Sequence, residues 1–193
     1  MKRQRSFEEY RAIDLTLWAV MLAVFEFVIV MAARFWFPGQ PFTVSLAGAI
    51  TAIVYMRWSW WGGIHALLSA VIFCFFSGGT PRQFVIYCLG NLLSLAAVLL
   101  LERIGKERVR TGYLSLVFPL LVLVLMQTGR ALAALLLGAA PAGVIDFYTT
   151  DSLSLLFTFV IIWMAKRLDG IYEDQKHYLL RIHAKEEQKG GQI

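Results

Sequence analysis

Six apolar segments run along the chain, Ala12–Phe37, Phe42–Met56, Ser59–Ser77, Phe84–Leu101, Tyr113–Leu137 and Ile145–Ala165. They are separated by Pro38-Gly39-Gln40-Pro41, by Arg57, by Ser77-Gly78-Gly79-Thr80-Pro81, by a charged run, and by Gly138-Ala139-Ala140-Pro141-Ala142-Gly143. Most approach the roughly 20 residues that cross a bilayer; the second is short and rich in small residues. Within lipid no water satisfies the backbone, so each span is expected to be a helix, and the alternating polarity of barrel strands is missing. The pattern predicts an all-α integral membrane protein. Its parts are a cytoplasmic N-terminal segment (1–11), a bundle of six transmembrane helices (12–165) and a charged cytoplasmic C-terminal tail (166–193).

Composition supports that class. The 193 residues are 59% hydrophobic, 14% aromatic and 16% charged, with mean hydropathy +0.65. Soluble domains run near 45–50% apolar and about 25% charged, so a soluble enzyme and a disordered binder are both disfavoured. Lys2, Arg3 and Arg5 ahead of an apolar run resemble a secretory signal, but Glu8, Glu9, Arg11 and Asp14 intervene and the run from Leu15 to Ala33 is long enough to span; it is read as a retained first span. The net charge of +5 comes from residues flanking spans, which speaks against nucleic acid. Fifteen of the 18 basic residues fall on the side shared by the termini, and Arg34 and Arg82 on the other. The positive-inside rule therefore places both termini in the cytoplasm, the expected site being a bacterial plasma membrane crossed several times. Cys74 and Cys88 lie in apolar runs and suggest neither a disulfide nor a metal site.

Ile171, Tyr178, Leu179 and Ile182 form an apolar stripe over 172–184, read either as a helix on the membrane or a partner, or as a solvated, frayed continuation of the last span. Ionisable residues inside spans are costly and mark candidate sites. Gln127 and Arg130 share a face late in the fifth span; Asp151, Ser154 and Thr158 share one early in the sixth; Tyr87, Asn91 and Ser94 share one in the fourth. These stripes suggest a pocket open to the outside in which Arg130 and Asp151 either pair or meet a ligand. Trp36 is a candidate lid or an interfacial anchor, and Trp58, Trp60 and Trp61 read as an inner aromatic belt. His65 stands alone and reads as a hydrogen-bonded core histidine. No phosphate-binding loop, nucleophile elbow or zinc-protease signature occurs, so the chain is read as a non-enzyme without catalytic residues, metal or cofactor.

Ala12, Thr16, Ala19 and Ala23 make a small-residue stripe on the first span, with Glu26 read as continuing that face. Together with size, span count and polar stripes, Ala19 and Ala23 make the chain resemble, over about residues 8–168, the substrate-binding S components of energy-coupling factor (ECF) vitamin transporters. The resemblance implies that Ala19 and Ala23 dock on a transmembrane coupling subunit served by two ATPase subunits. It also implies that Asn91, Gln127, Arg130 and Asp151, with Tyr87 and Trp36, enclose a vitamin-like ligand taken from outside. The long charged tail exceeds the minimal family pattern, and no substrate signature is present. The alternative is a membrane scaffold of the cell-wall elongation machinery, similar to the rod-shape-determining membrane protein D family.

Overall fold

The computed structural model describes residues 6–39 and 44–190. These form ten α-helices and no strand: α1 (Phe7–Trp36), α2 (Ala47–Trp58), α3 (Gly62–Ser77), α4 (Pro81–Leu92), α5 (Ala96–Ile104), α6 (Lys106–Thr111), α7 (Leu114–Leu136), α8 (Pro141–Thr149), α9 (Ser152–Ala165) and α10 (Gln175–Gly190). Five stretches among the described residues are long and apolar enough to cross a membrane: Phe7–Trp36, Ala47–Ser77, Pro81–Ile104, Leu114–Leu136 and Gly143–Ala165.

The second stretch is a hairpin. Ser59 sits at φ 51°, a conformation that ends α2, and a short 3₁₀ turn leads into α3. Glu26 and Asp14 of α1 meet Ser45, just before α2, and Arg57, late in α2, respectively, so α2 runs antiparallel to α1. Residue 65 of α3 meets residue 15, and Arg34 reaches the Phe76 carbonyl at 2.9 Å, so α3 runs parallel to α1. Twelve residues rise about 18 Å, well short of a bilayer core. Every residue of α2 is buried, because α1, α3, α7 and α9 all pack around it.

Several boundaries differ from expectation for local reasons. α1 starts at Phe7, inside the predicted N-terminal segment, because Ser6 and Glu9 form a reciprocal capping box that overrides the charges around it. Thr80 and Gln83 form another, with Pro81 at the first helical position, so the fourth segment also starts early. Its middle tightens into a 3₁₀ turn over Leu93–Leu95. The sixth segment breaks at Thr150–Asp151, between α8 and α9. Arg57 is no loop residue; it lies buried within α2. The beginning of the second predicted segment, Phe42–Thr43, lies outside the described residues.

Two faces of α1 also separate differently. Asp14, Trp18, Leu22, Glu26 and Val30 form the buried stripe, whereas Ala19 and Ala23 are half-buried and Ala12 and Thr16 exposed. Glu26 thus belongs to the core stripe and does not extend the alanine face.

The start of α1 and the segment between α9 and α10 lie at one end of the bundle, here called the base. Tyr10 donates to Gln175 at 3.0 Å, and Arg57 donates to the carbonyls of Gly170 and Ile171. The segment after α9 therefore turns under the bundle with Tyr172, Glu173 and Gln175 buried, and does not continue the last helix outward. Trp58 is buried beside it and donates its indole N–H to Asp14, so it is a core residue and not part of an aromatic belt; Trp60 and Trp61 are exposed.

Candidate binding site

α4 and α7 approach more closely than side chains permit. A Cβ on Gly129 would fall 2.8 Å from the carbonyl carbon of Gly90, and one on Gly90 would fall 2.6 Å from the Cα of Arg130. Only glycine allows this crossing. Each glycine precedes a polar residue, and the contact puts Asn91 Oδ1 2.8 Å from the Nε–H of Arg130.

Arg130 is the centre of the arrangement. Its Nη1 donates to Gln127 Oε1 at 3.3 Å and to Asp151 Oδ2 at 3.2 Å, and Gln127 also donates its amide to Asp151. The Tyr87 ring covers the guanidinium at 4.4 Å and stacks against Phe73 at 5.2 Å. Asn91 donates onward to the Ala66 carbonyl at 3.0 Å and to Ser69 at 3.1 Å. Asp151 occupies the break between α8 and α9, where its backbone is free of regular helix and its carboxylate turns inward.

The polar chain runs on past Asp151. Ser154 donates to Asp151 at 2.9 Å and accepts the Ser45 amide at 2.9 Å; Ser45 donates its hydroxyl to Glu26. Glu26 also accepts the Leu46 amide at 3.1 Å, just ahead of α2. A carboxylate there satisfies the Leu46 amide, which the start of α2 leaves unpaired, and sits at the positive end of its dipole. That is a structural reason for an acid in the core of a membrane bundle.

The structure thus brings together Asn91, Gln127, Arg130, Asp151 and Tyr87, all but Tyr87 buried. It does not bring Trp36 to them. Trp36 is 68% exposed and lines a separate apolar cavity of about 540 Å³ with Ile29, Ala33, Val44, Leu153 and Phe157. Ala19 and Ala23 lie on α1, outside the group. Ser94 turns to the Tyr55 hydroxyl at 2.8 Å, and the Thr158 hydroxyl is buried without a hydrogen-bond partner among the described residues. His65 is buried with Nε2 3.0 Å from the Leu15 carbonyl, a core histidine as read.

Three features had little or no sequence signal: the Gly90–Gly129 crossing, the Glu26–Ser45–Ser154 link and a buried pair at the base. In that pair Arg57 Nη2 lies 2.6 Å from Asp14 Oδ1. The Gly-Asn and Gly-Arg dipeptides carried the one usable hint, a residue without a side chain next to a polar one within an apolar span. No metal-competent group of His, Cys, Asp and Glu occurs among the described residues. No family model, curated protein or solved structure matches the chain.

Proposed function

We propose that the chain is the membrane-embedded binding subunit of an ATP-driven importer of the energy-coupling factor type, capturing a vitamin or similar micronutrient from outside. In this reading the chain crosses the bilayer six times, α2 being the short crossing, with the base and both termini in the cytoplasm. The observation that carries it is Arg130. A buried guanidinium bonded by Asn91 of α4, Gln127 of α7 and Asp151 in the break between α8 and α9 is expensive in a membrane and is what a polar ligand site requires. Energy has to come from partner ATPase subunits, because the sequence has no phosphate-binding loop.

A second reading, the cell-wall elongation scaffold, is favoured by one feature: Asn91, Gln127, Arg130 and Asp151 hydrogen-bond to one another, as a purely structural network would. One experiment separates the two. Protein purified into lipid nanodiscs is denatured and the released small molecules are identified by mass spectrometry, alongside the double variant Arg130→Gln with Asp151→Asn. Replacing both charges together avoids leaving one unpaired, so the double variant should stay folded by thermal unfolding, whereas removing one partner of a buried pair costs about 3–5 kcal/mol. The importer reading expects an enriched ligand in the wild type and at least a tenfold loss in the double variant. A folded double variant that retains the same ligand reduces the pair to structure, and a wild type that yields no ligand favours the scaffold.

A further inference from the structure

Arg130 has five N–H donors, and two of them are uncommitted. Nε serves Asn91 and Nη1 serves Gln127 and Asp151, while Nη2 makes no hydrogen bond among the described residues. Unlike the hydroxyls of Thr51 and Thr158, Nη2 is not one of the buried atoms sealed without a partner. The hydroxyl of Tyr87, whose ring covers the guanidinium, is likewise unbonded among the described residues and unsealed. Arg130 is thus 5% exposed and still keeps two N–H donors without a hydrogen bond among the described residues.

Charge decides which acceptor suits them. The guanidinium faces Asp151 at 3.2 Å, and Ser154 and Ser45 join that carboxylate to a second one, Glu26. Glu26 accepts from the Ser45 hydroxyl and the Leu46 amide, and forms no ion pair among the described residues. Even with a proton on Glu26, Arg130 and Asp151 cancel. A ligand carboxylate or phosphate would therefore add an uncompensated negative charge where the low dielectric makes repulsion between like charges strong. Donors without spare charge suit a neutral oxygen.

We infer that the ligand meets Arg130 Nη2 and the Tyr87 hydroxyl through an uncharged acceptor, an amide or ring carbonyl, and not through a carboxylate or phosphate. The inference rests on the importer reading and reverses the anion that a lone arginine fork suggests. The site then discriminates between molecules of one shape by charge.

Matched probe pairs test this on the full chain in nanodiscs: nicotinamide against nicotinate, and uracil against its 6-carboxylate, by calorimetry and thermal shift. The neutral member of at least one pair should bind about tenfold or more tightly than its acid. Glu26→Gln, which removes one carboxylate and leaves Arg130 paired, should narrow that preference. Asp151→Asn, which uncovers the guanidinium charge, should turn it toward the acid; if that variant does not fold, the preference of the wild type across the matched pairs decides. The absence of discrimination in both pairs, or an acid that binds the wild type more tightly than its neutral partner in either, overturns the assignment. A carboxylate or phosphate recovered from purified protein overturns it too while leaving the importer reading in place. Recovery of no small molecule counts against the importer reading itself.

Discussion

Gly129 faces the backbone of Gly90, and each is followed in the chain by a member of the polar network, Arg130 and Asn91. The smallest residues therefore fix the position of the most expensive one. A methyl group at 129 cannot be absorbed by a rotamer change, because what it meets is backbone; α4 and α7 have to separate. Overpacking of this kind costs about 1–3 kcal/mol, and the 2.8 Å bond from Arg130 to Asn91 lengthens with it. Gly129→Ala should lower the unfolding temperature and, on the importer reading, weaken ligand capture with it. Gly143→Ala, where an added methyl meets nothing within 4 Å, should do neither. Equal unfolding temperatures for the two variants would remove the crossing from its assigned role. Tyr87 contributes at the same scale, since its ring occupies the guanidinium face that water would otherwise reach.

Among the elements, the segment between α9 and α10 does the most to close the base. Lys106 pairs with Asp174, Arg110 Nη1 meets Glu173 at 3.1 Å, Arg181 meets the same carboxylate at 2.9 Å, and the Tyr172 hydroxyl donates to the Ser115 carbonyl. Burial pushes the Asp174 carboxyl up, but the hydrogen bond and charge of Lys106, with the backbone and side chain of His177, more than reverse that and hold it below its ordinary 3.8. A carboxyl depressed by folding binds its proton more weakly in the native state. Its contribution is complete above the unfolded value and fades as pH falls through the lower folded one. Hydrogen exchange over residues 169–178 should therefore quicken as pH drops below about 4, after correction for intrinsic rates, and Asp174→Asn should remove that dependence. An unchanged pH profile in the variant would show that other groups close the base.

Much of this level was legible in the sequence. The fifth segment, predicted over Tyr113–Leu137, is α7 over Leu114–Leu136, because a long apolar run bounded by a charged stretch and a glycine leaves little choice. The α2–α3 hairpin was separable because Arg57 interrupts the run, yet Arg57 itself was misplaced: its partner Asp14 lies 43 residues away and no local pattern announces the pair. Asn91, Gln127, Arg130 and Asp151 stood out as polar residues in apolar spans. The Glu26–Ser45 bond did not, since it joins a core face of α1 to the soft boundary of the shortest segment.

On the scale of the whole molecule, α1 has one face committed to the core and a second, carrying Ala19 and Ala23, only half-covered by the rest of the chain. The base gathers Arg57, Lys106, Arg110, Lys166 and Arg181 from four different parts of the sequence. With that end in the cytoplasm, reporter fusions after Lys106 and at the C-terminus should both read as cytoplasmic, and opposite readings would break the six-crossing topology. The alanine face then lies along the bilayer, available to another helix. Hydrophobic driving force is absent between helices in lipid, so close approach of backbones carries the association, and a methyl is the largest group that close contact tolerates. Ala19→Leu with Ala23→Leu adds bulk on that face and leaves the buried stripe Trp18, Leu22 and Glu26 untouched. On the importer reading, the folded chain and its ligand binding should be unaffected, whereas co-purification with a coupling subunit and ATP-dependent uptake in reconstituted vesicles should fall at least tenfold. A double variant that assembles and transports at the wild-type rate would move the docking surface away from α1.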